Sequence, residues 1–229
     1  MRMLALDTAT EACSVALGLD GRVLERYVEM ERGHGERLLP MIDELLAEAG
    51  VTLQSLQAIA FGRGPGGFTG VRLAASVAQG LAFGADLGVV PVSDLAAVAQ
   101  RALALHPDAC RVLAVNDARM REVYWAEFSV DGVVRAQGVE HVSGAASVTL
   151  PAVANAAWVA AGRGLAVYPE LAQRCRAAGA RVEPEVLPRA SEVLELAQAA
   201  AAAGQLLPPE AAVPVYVRDR VVDPVPSRN

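Results

Sequence analysis

The sequence contains no lysine, because all 20 basic residues among its 229 are arginine. This absence excludes a Walker A phosphate loop, which requires Gly-Lys-Ser/Thr, and it excludes Schiff-base chemistry on lysine. Cysteine is also scarce, with only Cys13, Cys110 and Cys175. These three are widely spaced and form no Cys-x-x-Cys pair, so the sequence predicts neither a disulfide framework nor a zinc–thiolate site.

Histidine is equally rare, and its positions argue against a metal centre. His34, His106 and His141 form neither His-x-x-x-His nor His-Glu-x-x-His, the spacings that place two imidazoles on one helix face. The Gly-x-Ser-x-Gly elbow of a serine hydrolase is missing as well. The sequence therefore predicts no metal site and no recognisable catalytic residue.

Long apolar runs are missing too, since no stretch approaches the roughly 18 apolar residues of a membrane span. We therefore expect a cytoplasmic protein with no membrane partner. The net charge of −6 disfavours unaided binding to nucleic acid, because that affinity comes from clustered cationic side chains. Any RNA partner would be reached only indirectly, through another protein. With 53% hydrophobic residues, the chain can bury a substantial core.

Two segments of the chain, 4–29 and 113–140, follow the same pattern. Each is an apolar run that ends in an aspartate, then a polar turn, a strand-like run, an Asp-Gly turn and another strand-like run. The terminal aspartates are Asp7 and Asp117. A repeated unit of this kind predicts two similarly built lobes, each with an aspartate at its inner edge, and a ligand-binding cleft between them.

Periodicity and turn residues predict a mixed α/β protein. Strands are expected at 3–6, 13–19, 22–29, 58–61, 89–92, 111–115, 122–130, 133–142 and 157–161, and helices at 36–49, 69–83, 93–105, 169–178 and 191–203. The order of elements predicts an N-terminal lobe over 1–105 and a C-terminal lobe over 106–229. The second lobe ends in a proline-rich tail, of which only 213–218 is expected to pack.

The segment 62–72, GRGPGGFTGVR, lies between a predicted strand and a predicted helix. Its backbone N–H groups could bind a phosphate at the helix N-terminus, or its glycines could simply allow a tight turn that seats the helix. Asp7 and Asp117 could likewise orient Mg²⁺ or a water, although capping of the adjacent turn is favoured. The candidate residues of the nucleotide-type loops are Asp7, Thr8, Thr10, Gly64, Gly66, Gly67, Thr69, Asp117 and Arg119.

A stripe of small residues follows this loop, with Gly70, Ala74, Ala78 and Ala82 at successive i+4 positions. Such a stripe lets another surface approach the helix closely. From the residues alone, a contact within the chain and a contact between subunits are equally compatible with the pattern.

Five segments carry a more specific resemblance. In chain order, LALDTAT, CSVAL, GRGPGGFTGVR, NDARMREVY and VPVYVR resemble the bacterial TsaB (YeaZ) family, the accessory subunit of the machinery that makes N6-threonylcarbamoyladenosine in tRNA. The family more commonly has serine at the positions of Gly35 and Gly67, which weakens any role for a hydroxyl group there.

The resemblance implies a duplicated fold like actin, hexokinase and Hsp70, with a ribonuclease-H-like core. It also implies kinship with the catalytic subunit TsaD, whose metal is bound by a paired-histidine motif that this chain lacks. We therefore expect a non-catalytic subunit that binds TsaD, with the ATPase TsaE in the larger complex, and that forms a homodimer when alone. It would have no cofactor of its own, and ATP and Mg²⁺ would bind only in the assembled complex.

The resemblance further implies that the helices at 36–49 and 69–83 contact the partner. This favours a subunit contact for the small-residue stripe. The predicted interface comprises Leu38, Ile42, Leu45, Gly70, Ala74, Ala78 and Ala82.

Two enzymatic alternatives remain. The first is an actin-like ATPase or kinase that uses Asp7, Asp117 and the loop 64–69 on a nucleotide held between the lobes. The second is a peptidase related to TsaD, for which the sequence shows neither a metal motif nor a nucleophile elbow.

Overall fold

Two β-sheets form the framework of the computed structural model, which describes residues 1–153 and 156–218. The first sheet has the order β3-β2-β1-β4-β5, and the second has the order β11-β10-β6-β7-β8, with β9 paired to β7. The strands are β1 (Met3–Asp7), β2 (Ala12–Leu19), β3 (Arg22–Glu29), β4 (Ala58–Gly62), β5 (Gly88–Val92), β6 (Arg111–Asp117), β7 (Glu122–Asp131), β8 (Val133–Ala136), β9 (His141–Gly144), β10 (Trp158–Ala161) and β11 (Arg181–Glu183).

Six α-helices cover these sheets in the described part of the chain. They are α1 (His34–Ala49), α2 (Phe68–Ala85), α3 (Asp94–Leu105), α4 (Gly164–Val167), α5 (Pro169–Ala177) and α6 (Ala190–Ala202). Short 3₁₀ turns occur at Leu53–Ser55, Ala145–Ser147 and Pro209–Ala211. The part of the predicted proline-rich tail beyond residue 218 lies outside the described residues.

The two sheets repeat the same pairing, which confirms the predicted duplicated α/β fold with two actin-like lobes. β1 pairs antiparallel with β2 and parallel with β4. In the second sheet, β6 pairs antiparallel with β7 and parallel with β10. Asp7 and Asp117 therefore end equivalent central strands, as their positions in the sequence repeat predict.

The predicted strand 133–142 is wrong as a single element. It is broken into β8 and β9, which pair with opposite ends of β7. Gly138 lies in the break with φ of 103°, a left-handed conformation that glycine adopts without strain.

The boundary predicted at residue 105 separates the strands of the two sheets, but two helices pack on the sheet that lies on the other side of it. α3 precedes that boundary, yet its Leu95 and Val98 pack in a core with Phe128 of the second sheet. α6 follows the boundary, yet its Val193 and Leu194 pack against the first sheet. The assignment of these helices to lobes is thus corrected. Sequence order does not reveal which sheet an apolar helix face will cover, and here α3 and α6 exchange lobes and join them.

The predicted partner interface is wrong for the residues named. The side chains of Leu38, Ile42, Leu45, Ala74, Ala78 and Ala82 are at most 2% exposed and pack in one core against β1, β2 and β4. Gly70 is packed as closely, because a Cβ at this position would lie 1.9 Å from the carbonyl oxygen of Thr8. A stripe of small residues permits close approach of any surface, and the surface here is the chain's own sheet.

We predict that Ala78→Glu unfolds or strongly destabilises the isolated chain. The substitution places an unpaired carboxylate in a fully buried core position, so the free energy of unfolding should fall by at least about 3 kcal/mol. Ser76→Glu on the exposed side of the same helix is the matched control and should have little effect. Urea denaturation of both variants measures the difference. A stable Ala78→Glu protein would show that this stripe is not internal core.

Candidate functional site

A cleft of about 1080 Å³ opens between the two lobes. Its walls come from the turn after β1, residues 31–34, the segment 65–71, the turn after β6, the two ends of α4 and residues 215–218. Polar side chains that line it include Thr8, Thr10, Asn116, Asp117, Arg119 and Arg163. The predicted site residues Gly66, Gly67 and Thr69 also line this cleft, whereas Asp7 and Gly64 do not.

The glycines of the segment 64–70, which we call the glycine loop, pack directly on the turn after β1. The N–H of Gly67 donates to the carbonyl oxygen of Ala9 at 2.6 Å, and the hydroxyl of Thr8 donates to the carbonyl oxygen of Gly70 at 2.7 Å. A Cβ at Gly66 would lie 2.6 Å from the Ala9 oxygen. These contacts favour the structural interpretation of the glycines, because they permit a backbone approach that a side chain would block.

Asp7 caps the turn that follows it, as the capping interpretation predicts. Its side chain is completely buried, and its Oδ1 accepts a hydrogen bond from the Ala9 N–H at 2.9 Å. A second buried carboxyl group, that of Asp94 at the start of α3, accepts a hydrogen bond from the Gly64 N–H. The amides of Gly64 and Gly67 are therefore both used within the chain.

The remaining oxygens of this carboxyl pair face the same small space. Oδ2 of Asp7 and Oδ1 of Asp94 have no other partner among the described residues, and a Cβ at Gly62 would lie 2.5 Å from each. Burial raises the pKa of both groups. The neighbouring charge of Asp7 adds to this effect and holds the pKa of Asp94 well above its usual 3.8. We therefore expect the two carboxyl groups to share one proton.

Sequence reasoning missed Asp94. The preceding Ser93 is predicted correctly as the helix cap, since its hydroxyl accepts a hydrogen bond from the Ala96 N–H at 3.1 Å. An acidic residue directly after a cap is ordinary in a helix, because it opposes the positive end of the helix dipole. Nothing in the local sequence signals that this carboxyl group is buried against Asp7.

We predict that the shared proton makes stability fall with rising pH. A carboxyl group whose pKa is raised by folding contributes stability below about pH 4, where the folded and the unfolded chain both bind the proton. That contribution is lost as the pH rises through the raised pKa, with a slope approaching about 1.4 kcal/mol per pH unit.

Asp94→Asn should remove this slope, because the amide needs no proton. Urea denaturation across the pH range measures it, and Asp86→Asn at the exposed end of α2 is the control. Identical pH dependence in wild type and Asp94→Asn would contradict the shared proton.

Asp117 occupies the equivalent position in the second lobe and also caps its turn. Its Oδ1 accepts a hydrogen bond from the Arg119 N–H at 3.0 Å, and its Oδ2 lies 3.3 Å from the Arg119 guanidinium. Unlike Asp7, it lines the cleft. The adjacent Asn116 is 2% exposed, and its amide atoms have no partner among the described residues. The two aspartates are thus equivalent in the fold but differ in their access to the cleft.

The three histidines lie apart from one another and each has a separate contact. His34 lies 3.0 Å from the Thr10 carbonyl oxygen, His106 lies 2.7 Å from Glu183, and the ring of His141 stacks on Trp125 at 4.4 Å. Among residues 1–153 and 156–218, no group of three or more histidine, cysteine, aspartate or glutamate side chains is placed to hold a metal ion. Within the same residues, no helix combines the length and apolar character needed to cross a membrane.

Comparisons with known proteins agree with this geometry. A sequence model of the family described as "TsaD: tRNA N6-adenosine threonylcarbamoyltransferase" matches residues 28–223. The tRNA threonylcarbamoyladenosine biosynthesis protein TsaB of Escherichia coli is 41% identical over 96% of each chain. The chain belongs to the TsaB (YeaZ) family.

Two further relatives support this membership. TsaB of Haemophilus influenzae is 56% identical over 127 residues, which cover 56% of this chain and 53% of that protein. The solved structure of YeaZ from Pseudomonas aeruginosa is 47% identical and superposes with a TM-score of 0.87, covering 94% of this chain and 99% of that one. The resemblance inferred from the five sequence segments is thus confirmed.

Proposed function

We propose that this chain is a non-catalytic subunit of tRNA threonylcarbamoyladenosine biosynthesis. It binds and organises a TsaD-type subunit, and through it the ATPase TsaE, and it contacts tRNA only through these partners. Membership of the TsaB family supports a role in threonylcarbamoyladenosine biosynthesis, and the exposed side of α2 supports a docking role. The cytoplasmic location stays a prediction.

The exposed side of α2 carries a second row of small residues, opposite the buried one. Ser76, Gly80 and Gly84 are exposed at successive i+4 positions, and no atom lies within 4 Å of a Cβ built at either glycine. Phe83 beside them is 73% exposed, and Leu39 on α1 is 47% exposed. We call these five residues the outer stripe.

The outer stripe suits a helix of another subunit. Small residues allow two helix backbones to approach closely, and an exposed phenylalanine supplies the apolar anchor that interfaces favour. The same stripe would join two copies of the chain when TsaD is absent, which gives the expected homodimer. We therefore retain α1 and α2 as the partner-binding helices and propose the interface on the opposite, exposed side of α2.

The cleft supports a role without chemistry of its own. Asp7 is buried beneath the glycine loop, and the amides of Gly64 and Gly67 are bonded within the chain. A nucleotide phosphate would have to displace these internal contacts before the same groups could bind it. We therefore assign no cofactor to the isolated chain, and ATP and Mg²⁺ would act only in the assembled complex.

We predict that Gly80→Glu weakens TsaD binding and leaves the chain folded. The substitution places a charge in the middle of the outer stripe, where binding should weaken more than about 30-fold, the equivalent of a hot spot of roughly 2 kcal/mol. Folding should be preserved, because glutamate favours the helix more than glycine does. Ala177→Glu, at an exposed position of α5, is the control. Calorimetry with TsaD of the same organism measures both variants, and unimpaired binding by Gly80→Glu would refute this interface.

One observation favours a second candidate, an actin-like nucleotide-binding enzyme. The open cleft contains Asn116, whose buried amide lacks a partner among the described residues. We predict that calorimetry with Mg·ATP detects no binding to the isolated chain at millimolar concentration, because internal hydrogen bonds occupy the glycine loop. Binding in the micromolar range would favour the enzyme over the docking subunit.

A further inference from the structure

Residues 213–218, which we call the strap, lie on the glycine loop of the first lobe. The N–H of Val215 donates to the carbonyl oxygen of Arg63 at 2.7 Å. Gly64 has φ of 105°, and a Cβ at this position would lie 2.7 Å from the Val215 carbonyl oxygen. The strap therefore covers the backbone of the glycine loop at a point that only glycine permits.

An aromatic cluster continues the contact of the strap with the first lobe. The Nε of Arg72 donates to the Tyr216 hydroxyl at 2.6 Å, and the Arg72 guanidinium lies 3.6 Å above the ring of Phe68. The rings of Phe68 and Tyr216 lie 5.9 Å apart. A cation over an aromatic ring with a hydrogen-bonded tyrosine beside it makes a specific attachment for the strap on α2.

Two residues further along, Arg218 reaches the second lobe. Its guanidinium donates to the Ala118 carbonyl oxygen at 3.2 Å, forms an ion pair with Glu122, and approaches the Met120 sulfur at 3.4 Å. The Arg218 side chain is 15% exposed. Six residues thus span from the glycine loop to the turn after β6, on opposite walls of the cleft.

The turn that Arg218 holds is strained. Arg119, Met120 and Arg121 all have φ between 52° and 63°, and none of them is glycine. Consecutive left-handed residues with side chains persist only where the surrounding contacts enforce them. Arg218 contacts this turn at both ends, through Ala118 and Glu122. Arg218 is therefore one of the contacts that hold this turn, beside the hydrogen bonds from the Ala118 N–H to the Glu122 carbonyl oxygen and from the Glu122 N–H to the Arg119 carbonyl oxygen, each 3.0 Å long.

Other contacts also join the lobes, so the strap is one of several connections between them. α3 and α6 join the lobes through buried cores, and Arg63 pairs with Glu140 of the second lobe at 3.2 Å. At the cleft itself, Arg163 pairs with Glu11 at 2.9 Å. The strap residues Val213 and Tyr216 are 54% and 47% exposed, so its release would uncover little core.

We propose that the strap is a releasable clasp that sets the opening of the interlobe cleft. When attached, it ties the glycine loop to the turn after β6 and covers Gly64. When released at Arg218, it lets the two lobes separate about the α3 and α6 connection and exposes the glycine loop. The proposal concerns motion within the chain and stands independently of the partner interface.

A distance measurement across the cleft tests the clasp. Spin labels at Arg32→Cys and Val167→Cys, both exposed residues that line opposite walls, report the separation of the lobes. The background carries Cys110→Ser, because Cys13 and Cys175 are buried. Electron–electron resonance should show longer separations in Arg218→Ala and Tyr216→Ala than in the parent protein. Arg135→Ala, which removes an exposed arginine of β8 in the second lobe, is the matched control.

Hydrogen exchange provides a second measurement on the unlabelled chain. Arg218→Ala should accelerate exchange at the amides of residues 119–122 and of the glycine loop, with the core strands unchanged. Tyr216→Phe keeps the ring and loses only the hydroxyl, so its distance shift should be smaller than that of Tyr216→Ala. Faster exchange at the turn without a distance shift would show that Arg218 only supports the turn. That outcome would overturn the clasp. So would a distance distribution between the two labels that is the same in Arg218→Ala as in the Arg135→Ala control.

Discussion

The close approach of the glycine loop to the turn after β1 is the contact on which the rest of the structure depends. It is possible because Gly66 and Gly70 present bare backbone to Ala9 and Thr8. The approach fixes the start of α2 and thereby directs one side of that helix into the core and the other into solvent. It also engages backbone N–H groups that the N-terminus of a helix can otherwise present to an anion. One packing constraint thus both orients α2 and engages the backbone of the glycine loop within the chain.

The buried carboxyl pair belongs to the same arrangement. Asp7 ends the central strand, and Asp94 begins the helix that crosses to the second lobe. Both are joined to the glycine loop, through Gly62 beneath it and Gly64 within it. Two carboxyl groups buried side by side are tolerable when they share a proton.

Much of this architecture was predictable from the sequence, because the signals are local or repeated. The duplicated strand units predict two lobes, and the capping roles of Asp7 and Ser93 follow from their positions before a turn and a helix. The family follows from five short segments. The buried side of α2 was harder to predict, because a helix with small residues on two sides does not reveal which side meets the sheet. Ala78 faces the core and Gly80 faces solvent, only two positions apart.

The missed features are those created by tertiary contact. The burial of Asp94 depends on the approach of β1 and the glycine loop, which are distant in sequence. The exchange of α3 and α6 between lobes depends on which sheet offers an uncovered apolar face. The contacts of the strap were missed for the same reason, since Arg218 and Glu122 are separated by 96 residues. Local patterns identify the elements, whereas their partners are decided by the packing of the whole chain.

We propose that this chain acts through docking and performs no chemistry. Reconstituted threonylcarbamoyl transfer to tRNA, with TsaD and TsaE held constant and this chain titrated, tests it most directly. The account predicts that the rate rises with this chain, saturates at an equimolar ratio to TsaD, and is unchanged when Asp117 in the cleft is replaced by alanine. A rate that is independent of this chain, or that collapses with Asp117→Ala while TsaD binding persists, would contradict the account.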